Sequence, residues 1–219
     1  MRWDAAVVLA GGQSSRMGTE KAVLQAGGRT LVERLLGILA PCFERLFVSV
    51  ARSGPSPALR QAMERAARDS RQEVVVIKDR LEASGPLAGV EAALETLPVP
   101  SALFLGVDAP HVTLPLVSAL WKEVSSPGCL GCIPRWSQGP EPAFAVYSKG
   151  LLPEVRKLLR LGPRSLQALL RSEGVRVLDL ENAMVAERVF GPSPPLLSDL
   201  FRSLNTPEEF EAWKQRVAP

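Results

Sequence analysis

Adjacent glycines and two basic side chains near the N-terminus have the types and spacing of a phosphate-binding loop. Gly11 and Gly12 follow the apolar run 5–9, and Arg16 and Lys21 come shortly after them. Glycine has no Cβ, so the backbone can turn tightly at these positions and come close to a ligand. Successive backbone N–H groups in such a turn bind anions, and the basic side chains would add full positive charges. The stretch therefore predicts binding of a phosphorylated ligand.

Two familiar phosphate-binding patterns do not fit the same residues. In a Walker A loop a lysine follows the last glycine directly, whereas Gly18 is followed by Thr19 and Glu20. The dinucleotide fingerprint G-x-G-x-x-G needs a residue between its first glycines, but Gly11 and Gly12 are adjacent. The pattern therefore predicts a phosphate-binding loop of another kind.

Aspartates follow two later apolar runs. Asp79 comes after the run 74–77, and Asp108 comes directly after the run 102–107. Open α/β sheets bind their ligands beyond the carboxyl ends of parallel strands. Both carboxylates are therefore expected at the same sheet edge as the glycines, although they are far from them in sequence.

Alternating strands and helices would position these side chains. Strands are predicted over 5–9, 46–51, 74–77, 102–107, 129–133, 143–147 and 175–180. Helices are predicted over 31–40, 58–70, 90–94, 114–124, 151–161 and 165–171, with a last helix from 207. This order predicts a single-domain α/β fold, a doubly wound and mostly parallel sheet. Right-handed crossovers would bring the ends of the first, third and fourth strands to one edge.

Two of the helices begin with strong capping signals. Thr30 is followed three residues later by Glu33, which is the pattern of a capping box. The string 205–209, Asn-Thr-Pro-Glu-Glu, combines a cap, a proline at the first helical position and a glutamate. A helix cap explains each of these residues except Asn205. Structural and functional interpretations of this string therefore both stay open.

The composition is that of a globular protein. Of the 219 residues 46% are hydrophobic and 22% charged, and the formal net charge is +3. This charge is too small to predict nucleic-acid or membrane binding, but it suits a small anionic substrate. No apolar stretch approaches the ~18 residues of a membrane span, and no signal-peptide pattern precedes the first strand. A cytoplasmic location is expected.

The cysteines and the single histidine offer weaker signals. An odd number of cysteines argues against a disulfide framework. Cys129 and Cys132 form a C-x-x-C pair, but no second such pair could complete a zinc site. They are expected to be two partly buried residues around a strand. His111 follows Asp108 and either contacts phosphate or lies in a loop without a role.

The N-terminal stretch resembles a known family signature. Residues 9–21 fit the pattern L-A-G-G-x-x-x-R-M-G-x-x-K of nucleotidyltransferases, and they are most similar to molybdenum cofactor guanylyltransferases of the MobA type. Three shorter strings extend the resemblance over most of the chain: G-P-L-A-G at 85–89, D-A-P at 108–110 and N-T-P-E-E at 205–209. Of these strings only the first is specific by itself.

The resemblance implies a Rossmann-like nucleotidyltransferase fold and roles for particular residues. Residues 1–219 would form one domain, with a nucleotide-binding part at 1–110 and an acceptor-binding part with the C-terminal helix at 111–219. The implied catalytic residues are Arg16, Lys21 and Asp108. The implied nucleotide-binding residues are Leu9, Ala10, Gly11, Gly12, Lys21, Asp79 and Asp108. Asp108 would also bind the catalytic Mg²⁺.

The activity implied is transfer of GMP from GTP to the terminal phosphate of molybdopterin, with release of pyrophosphate. The resemblance further implies transient contact with proteins of cofactor biosynthesis or molybdoenzyme maturation. One alternative is a related transferase that uses CTP or another phosphorylated acceptor. Another is a nucleotide-binding partner in cofactor assembly without catalytic activity. Intact Arg16, Lys21 and Asp108 argue against the last.

Two positions depart from the family pattern. Glu141 stands before Pro142 where many members have a histidine, which leaves the acceptor open. Ser49 and Ala51 stand in the region where guanine-selecting members have asparagine, which leaves the choice of base open.

Overall fold

The computed structural model describes residues 2–11, 20–81, 85–109, 111–162, 165–202 and 204–217. The strands in these residues are β1 (Trp3–Leu9), β2 (Gln25–Ala26), β3 (Arg29–Thr30), β4 (Phe43–Val50), β5 (Val74–Lys78), β6 (Ser101–Gly106), β7 (Gly131–Trp136), β8 (Gly139–Pro140), β9 (Phe144–Ser148) and β10 (Val175–Asp179). The α-helices are α1 (Leu31–Leu39), α2 (Pro57–Ser70), α3 (Gly85–Thr96), α4 (Leu114–Val124), α5 (Leu152–Leu161), α6 (Ala183–Phe190), α7 (Leu197–Leu200) and α8 (Pro207–Val217). Short 3₁₀ helices cover Lys21–Val23, Lys149–Leu151 and Leu166–Arg171.

A central sheet has the strand order β10-β7-β9-β6-β1-β4-β5, and β8 pairs with β7. Strands β6, β1, β4 and β5 run parallel, so their carboxyl ends lie along one edge. Strand β9 runs antiparallel to both of its neighbours, β6 and β7, whereas β10 is parallel to β7. The predicted α/β class and mostly parallel sheet are confirmed, and β9 starts at the edge where β6 ends.

The side chains of β1 alternate between two separate hydrophobic layers. Ala6 and Val8 pack in the layer that contains apolar side chains of α1, α2, α4 and α8. Ala5 and Val7 pack in the layer that contains side chains of α3 and α5. Successive side chains of a strand point to opposite faces of the sheet, so both faces of β1 are buried. This explains why the run 5–9 contains no polar residue.

Both predicted helix caps are present. The Thr30 hydroxyl accepts from the backbone N–H of Glu33 at 3.3 Å, and the Glu33 carboxylate accepts from the N–H of Thr30 at 2.7 Å. At α8 the Thr206 hydroxyl accepts from the N–H of Glu209 at 3.2 Å. The Glu209 carboxylate in turn accepts from the N–H groups of Asn205 and Thr206. A capping box thus starts each of these helices.

Some elements differ from the predictions. The segment predicted as a helix over 165–171 is 3₁₀ rather than α-helical. Helix α6 was not predicted, although the side chain of Asn182 caps it by accepting from two backbone N–H groups. Strand β7 continues past 133 and includes Pro134. The proline is tolerated because the pairing of β7 with β9 covers only Gly131 and Cys132.

Cys129 and Cys132 are free thiols beside β7, and they are more fully buried than expected. Burial raises the pKa of Cys132 to about 12, which keeps this thiol protonated and unreactive at neutral pH. None of the described helices is both long and apolar enough to span a bilayer.

Candidate active site

The chain leaves β1 in close contact with β4. The backbone N–H of Ala10 donates to the carbonyl of Ser49 at 2.8 Å, which continues the sheet by one residue beyond Leu9. At Gly11 an added Cβ would lie 3.2 Å from the nitrogen of Ala51 and 3.5 Å from a carboxylate oxygen of Asp79. A larger residue would therefore push against backbone at this point. Close approach, rather than an unusual φ, is the reason for glycine here.

The rest of the predicted loop, residues 12–19, lies outside the described residues. The predicted roles of Gly12 and Arg16 therefore stay predictions. The chain is described again from Glu20, whose carboxylate accepts from the hydroxyl of Ser56 at 2.6 Å. Ser56 is also the cap of α2. This contact fixes the chain just before Lys21.

Lys21 is bonded to two side chains that come from far along the sequence. Its ammonium donates to Asp108 Oδ2 at 2.9 Å and to Asn205 Oδ1 at 2.7 Å. The side chains of Lys21 and Asp108 are 18% and 29% exposed, so the pair remains within reach of a ligand. Asn205 is the one residue of its string that a helix cap did not explain. It belongs to a segment that we call the C-terminal segment, residues 197–217.

A glycine and a backbone hydrogen bond position Asp108 at the end of β6. A Cβ on Gly106 would lie 2.7 Å from Asp108 Oδ1, so glycine makes room for the carboxylate. The backbone N–H of Leu204 donates to the carbonyl of Asp108 at 3.1 Å. The C-terminal segment therefore contacts Asp108 directly as well as through Lys21.

A second carboxylate, Asp79, lies beyond β5 in a small polar cluster. The Ser49 hydroxyl donates to Asp79 Oδ1 at 3.2 Å. A Cβ on Gly89 of α3 would lie 2.7 Å from that hydroxyl and 3.4 Å from the carboxylate. Burial raises the pKa of Asp79 to about 6, against the smaller lowering effect of the Ser49 hydrogen bond. Asp79 is thus ionised at neutral pH, although its burial makes the charged form energetically unfavourable.

Glu141 is a third carboxylate near this edge. Strand β9 pairs with β6 so that Leu105 faces Phe144, and the same register carried past the strand ends would set Glu141 opposite Asp108. The indole N–H of Trp136 donates to Glu141 at 2.9 Å. Burial raises the pKa of Glu141, and the charge of Asp108 raises it further.

Aromatic side chains attach the C-terminal segment beside Glu141. Phe201 stacks on Trp136 with ring centroids 5.7 Å apart and contacts Phe144 edge-on at 5.9 Å. Offset and edge-on pairs of this kind are favourable geometries for aromatic rings. The packing places residues 204 and 205 next to Asp108 and Lys21.

His111 contacts α8. Its ring meets that of Trp213 edge-on, with centroids 6.5 Å apart. Burial lowers the pKa of His111, so the imidazole is neutral at pH 7. The contact with Trp213 is a packing contact, and the two alternatives given for His111 stay predictions.

The structure therefore brings together most of the residues singled out in the sequence. Gly11 adjoins Asp79, and Lys21 is bonded to Asp108, all at the carboxyl edge of the parallel strands. Sequence reasoning did not place Asn205 or Glu141 in this group. The signal for Asn205 was that a helix cap explains every residue of the string 205–209 except this one. Only the departure from the family pattern pointed to Glu141.

A mostly parallel sheet with a glycine turn, a lysine and aspartates at its carboxyl edge defines an α/β protein that binds nucleotides or similar phosphorylated ligands. The chain belongs to the MobA-like NTP transferase domain family, whose model matches residues 6–177.

Individual relatives cover nearly the whole chain. A molybdenum cofactor guanylyltransferase from Syntrophotalea carbinolica is 29% identical over 99% of this chain and 93% of its own length. A probable molybdenum cofactor guanylyltransferase from Opitutus terrae is 34% identical over 80% of this chain and 84% of its own. The crystal structure of molybdopterin-guanine dinucleotide biosynthesis protein A from Archaeoglobus fulgidus is similar with a TM-score of 0.74 and 25% identity, over 97% of each chain.

Proposed function

We propose that this protein transfers GMP from GTP to the terminal phosphate of molybdopterin cofactor and releases pyrophosphate. The observation that carries the proposal is the convergence of Gly11, Lys21 and Asp108 at one sheet edge, in a chain similar over 99% of its length to a protein named for this activity. In the reaction, an oxygen of the acceptor phosphate forms a bond to the α-phosphorus of GTP. The bond from that phosphorus to the pyrophosphate oxygen breaks.

The residues at the edge suit a Mg²⁺-dependent reaction. Mg²⁺ is usually held by one or two carboxylates together with substrate phosphates and water. No group of three or more His, Cys, Asp and Glu ligands occurs among the described residues, so a partly exposed Asp108 fits that sparse mode of binding. When bound, the ion would offset the negative charge on the phosphate oxygens that repels an anionic acceptor.

The protein groups would bind and orient the triphosphate. Gly11 lets the chain pass close to neighbouring backbone, as a phosphate-binding turn requires, and Lys21 would supply a positive charge. That charge stabilises the departing pyrophosphate more than the bound substrate, which accelerates the reaction. The acceptor phosphate arrives ionised and needs no general base, which agrees with His111 packing against Trp213.

Asp79 supports guanine as the base. An ionised carboxylate accepts hydrogen bonds and donates none. The edge of guanine carries an N1–H and a 2-amino group that can both donate to it, whereas cytosine presents a single amino group beside acceptors. Asp79, ionised at neutral pH and next to Gly11, suits the guanine pattern.

Pyrophosphate release with purified protein, Mg²⁺ and molybdopterin tests the proposal. GTP should support release and CTP should not. Consumption of CTP with GTP ignored would favour the related cytidylyl activity, and nucleotide binding without any release would favour a non-catalytic partner. In the same proposal, the acceptor binds to the part at 111–219, on the side of Glu141 and β7.

A further inference from the structure

The ammonium of Lys21 is bonded to the carboxylate of Asp108, which in the proposed reaction would bind the cation. It lies 2.9 Å from Asp108 Oδ2, and its other hydrogen bond among the described residues is to Asn205 Oδ1 at 2.7 Å. Both partners are oxygen acceptors, so the ammonium is well satisfied in this arrangement. The backbone around Asp108 is also fixed, because Leu204 donates to its carbonyl.

The ammonium and a divalent cation would compete for Asp108. A cation on the same carboxylate would come within a few ångströms of another positive charge, and partial burial limits screening by water. Lys21 would therefore weaken cation binding for as long as it remains there. If the ammonium of Lys21 moved into water and gained no ligand acceptor, it would lose a charge-assisted hydrogen bond.

A triphosphate changes this balance. Its β- and γ-phosphate oxygens offer Lys21 anionic acceptors at least as good as Asp108 and Asn205. Once the ammonium turns to them, the carboxylate of Asp108 is open to the cation that the same phosphates also bind. The backbone hydrogen bond from Leu204 to Asp108 does not involve Lys21, so it can persist during this exchange.

We propose that Lys21 holds the cation position on Asp108 until a nucleoside triphosphate draws it away, so that nucleotide and divalent cation bind cooperatively. The inference rests on the proposed function, which assigns Asp108 to the cation and Lys21 to phosphate. By linkage, the cation strengthens nucleotide binding by the same factor as the nucleotide strengthens cation binding. The empty enzyme accordingly keeps little metal on Asp108.

Binding of Mn²⁺ without nucleotide tests the exchange directly. Free Mn²⁺ is followed by electron paramagnetic resonance during titration of the wild type and Lys21→Gln. Lys21→Gln should bind Mn²⁺ at least about tenfold more tightly, because it removes the competing charge. A role of Lys21 in phosphate binding alone would leave Mn²⁺ affinity unchanged.

Two further variants locate the effect. Lys78→Gln removes a positive charge from the end of β5, at the same sheet edge, and should bind Mn²⁺ as the wild type does. The double variant with Lys21→Gln and Asp108→Asn should lose the gain. The proposed exchange would be contradicted if the Mn²⁺ affinity of Lys21→Gln rose less than twofold. It would also be contradicted if the higher Mn²⁺ affinity persisted in the double variant.

A measurement on the wild type covers the case in which Lys21→Gln does not fold. The Nζ signal of Lys21 in an NMR spectrum should stay in place with Mg²⁺ alone and shift with Mg²⁺ and a non-hydrolysable GTP analogue together. A shift with Mg²⁺ alone contradicts the proposal. Pyrophosphate release by the wild type is independent of these results, so failure of the exchange and failure of the guanylyl activity can be told apart.

Discussion

The charge of Asp79 lowers the stability of the folded protein, whereas the proposed function gives that charge a role in binding the base. Folding partly removes its carboxylate from water and leaves it one hydroxyl donor among the described residues, that of Ser49. The charged form is therefore disfavoured, which is why its pKa rises from 3.8 to about 6. Retaining a costly charge beside Gly11 is understandable if the charge contacts a ligand.

Asp79→Asn should stabilise the protein and weaken GTP binding. Because the folded pKa lies above the unfolded one, the stabilising contribution of the protonated form is present below about pH 4 and is lost as the pH rises through about 6. Asparagine avoids this loss, so at pH 8 we expect a gain of about 1 kcal/mol, discounted for solvent screening, or about 2–4 °C in Tm. The gain should fade below pH 6. Thermal unfolding at several pH values measures it.

Calorimetric titration with GTP gives the other half of this prediction. The affinity should fall by about ten- to a hundredfold, the effect of losing hydrogen bonds to a charged group. Asp69→Asn removes the same charge at an exposed position and should change neither quantity. Unchanged GTP affinity in Asp79→Asn would exclude the base-binding role.

Asp108 and Lys21, the proposed catalytic pair, offer a second prediction at this scale. Asp108→Ala and Lys21→Ala should each lower the rate of pyrophosphate release on the order of 10²–10³-fold, the usual effect of removing one preorganised charge-stabilising group. Lys78→Ala, a charge deletion at the same edge, should retain the rate. A near-normal rate in Asp108→Ala would remove that residue from the cation site.

At the scale of elements, the close approach of α3 to the sheet shapes the polar cluster. Gly89 lies in α3, directly over Ser49 and Asp79. No other side chain fits at this position without displacing the Ser49 hydroxyl, since the distance from an added Cβ would be 2.7 Å. The G-P-L-A-G string therefore positions the helix as well as starting it.

Gly89→Ala and Gly37→Ala form a matched pair for this interpretation. Both glycines lie inside helices, where alanine is normally favoured by up to about 1 kcal/mol. At Gly37 the nearest atom would be 3.9 Å from the new Cβ, so this variant should be neutral or more stable. Gly89→Ala should be less stable by about 1–3 kcal/mol, from overpacking, and should bind GTP more weakly. Denaturant unfolding and titration with GTP measure both, and equal behaviour of the two variants would contradict the argument.

At the scale of the whole molecule, the C-terminal segment contacts β7 as well as residues near the N-terminal end of the chain. Phe201 packs on Trp136, Asn205 bonds to Lys21, and Trp213 is buried below the guanidinium of Arg34 at 5.6 Å. These contacts bring residues from opposite ends of the chain together. Folding of the candidate site therefore depends on docking of the last helix.

Trp213 tests this dependence. Its buried indole N–H has no hydrogen-bond partner among the described residues, so the ring contributes through packing and through its contact with the Arg34 guanidinium. Trp213→Ala should cost about 3–5 kcal/mol and lower the rate of pyrophosphate release by loosening the contact of Asn205 with Lys21. Trp213→Phe removes the unpartnered N–H and keeps an aromatic ring, so it should cost less than about 1.5 kcal/mol. Equal losses in the two variants, measured by chemical denaturation, would show that packing is not the cause.

Local sequence signals were sufficient for much of this molecule. The uninterrupted apolar run 5–9 predicted a strand buried on both faces, and Thr30 with Glu33 predicted the first crossover helix. The alternation of such elements fixes the class of the sheet, because parallel strands require crossovers of one hand. From that followed the shared edge of Gly11, Asp79 and Asp108. Hydrophobic periodicity and helix-capping patterns involve residues close together in the chain, so both can be recognised in the sequence directly.

Tertiary structure decided which side chains meet at that edge. The antiparallel direction of β9, which brings Glu141 towards Asp108, depends on pairing with β6 and is absent from the pattern of residues 143–147. The bond of Asn205 to Lys21 spans 184 positions, and no local signal encodes a contact of that length. Such contacts form only when separate hydrophobic surfaces pack, as Phe201 and Trp213 do. The sequence alone therefore predicted a phosphate site, and packing of the C-terminal segment decided how its lysine is held.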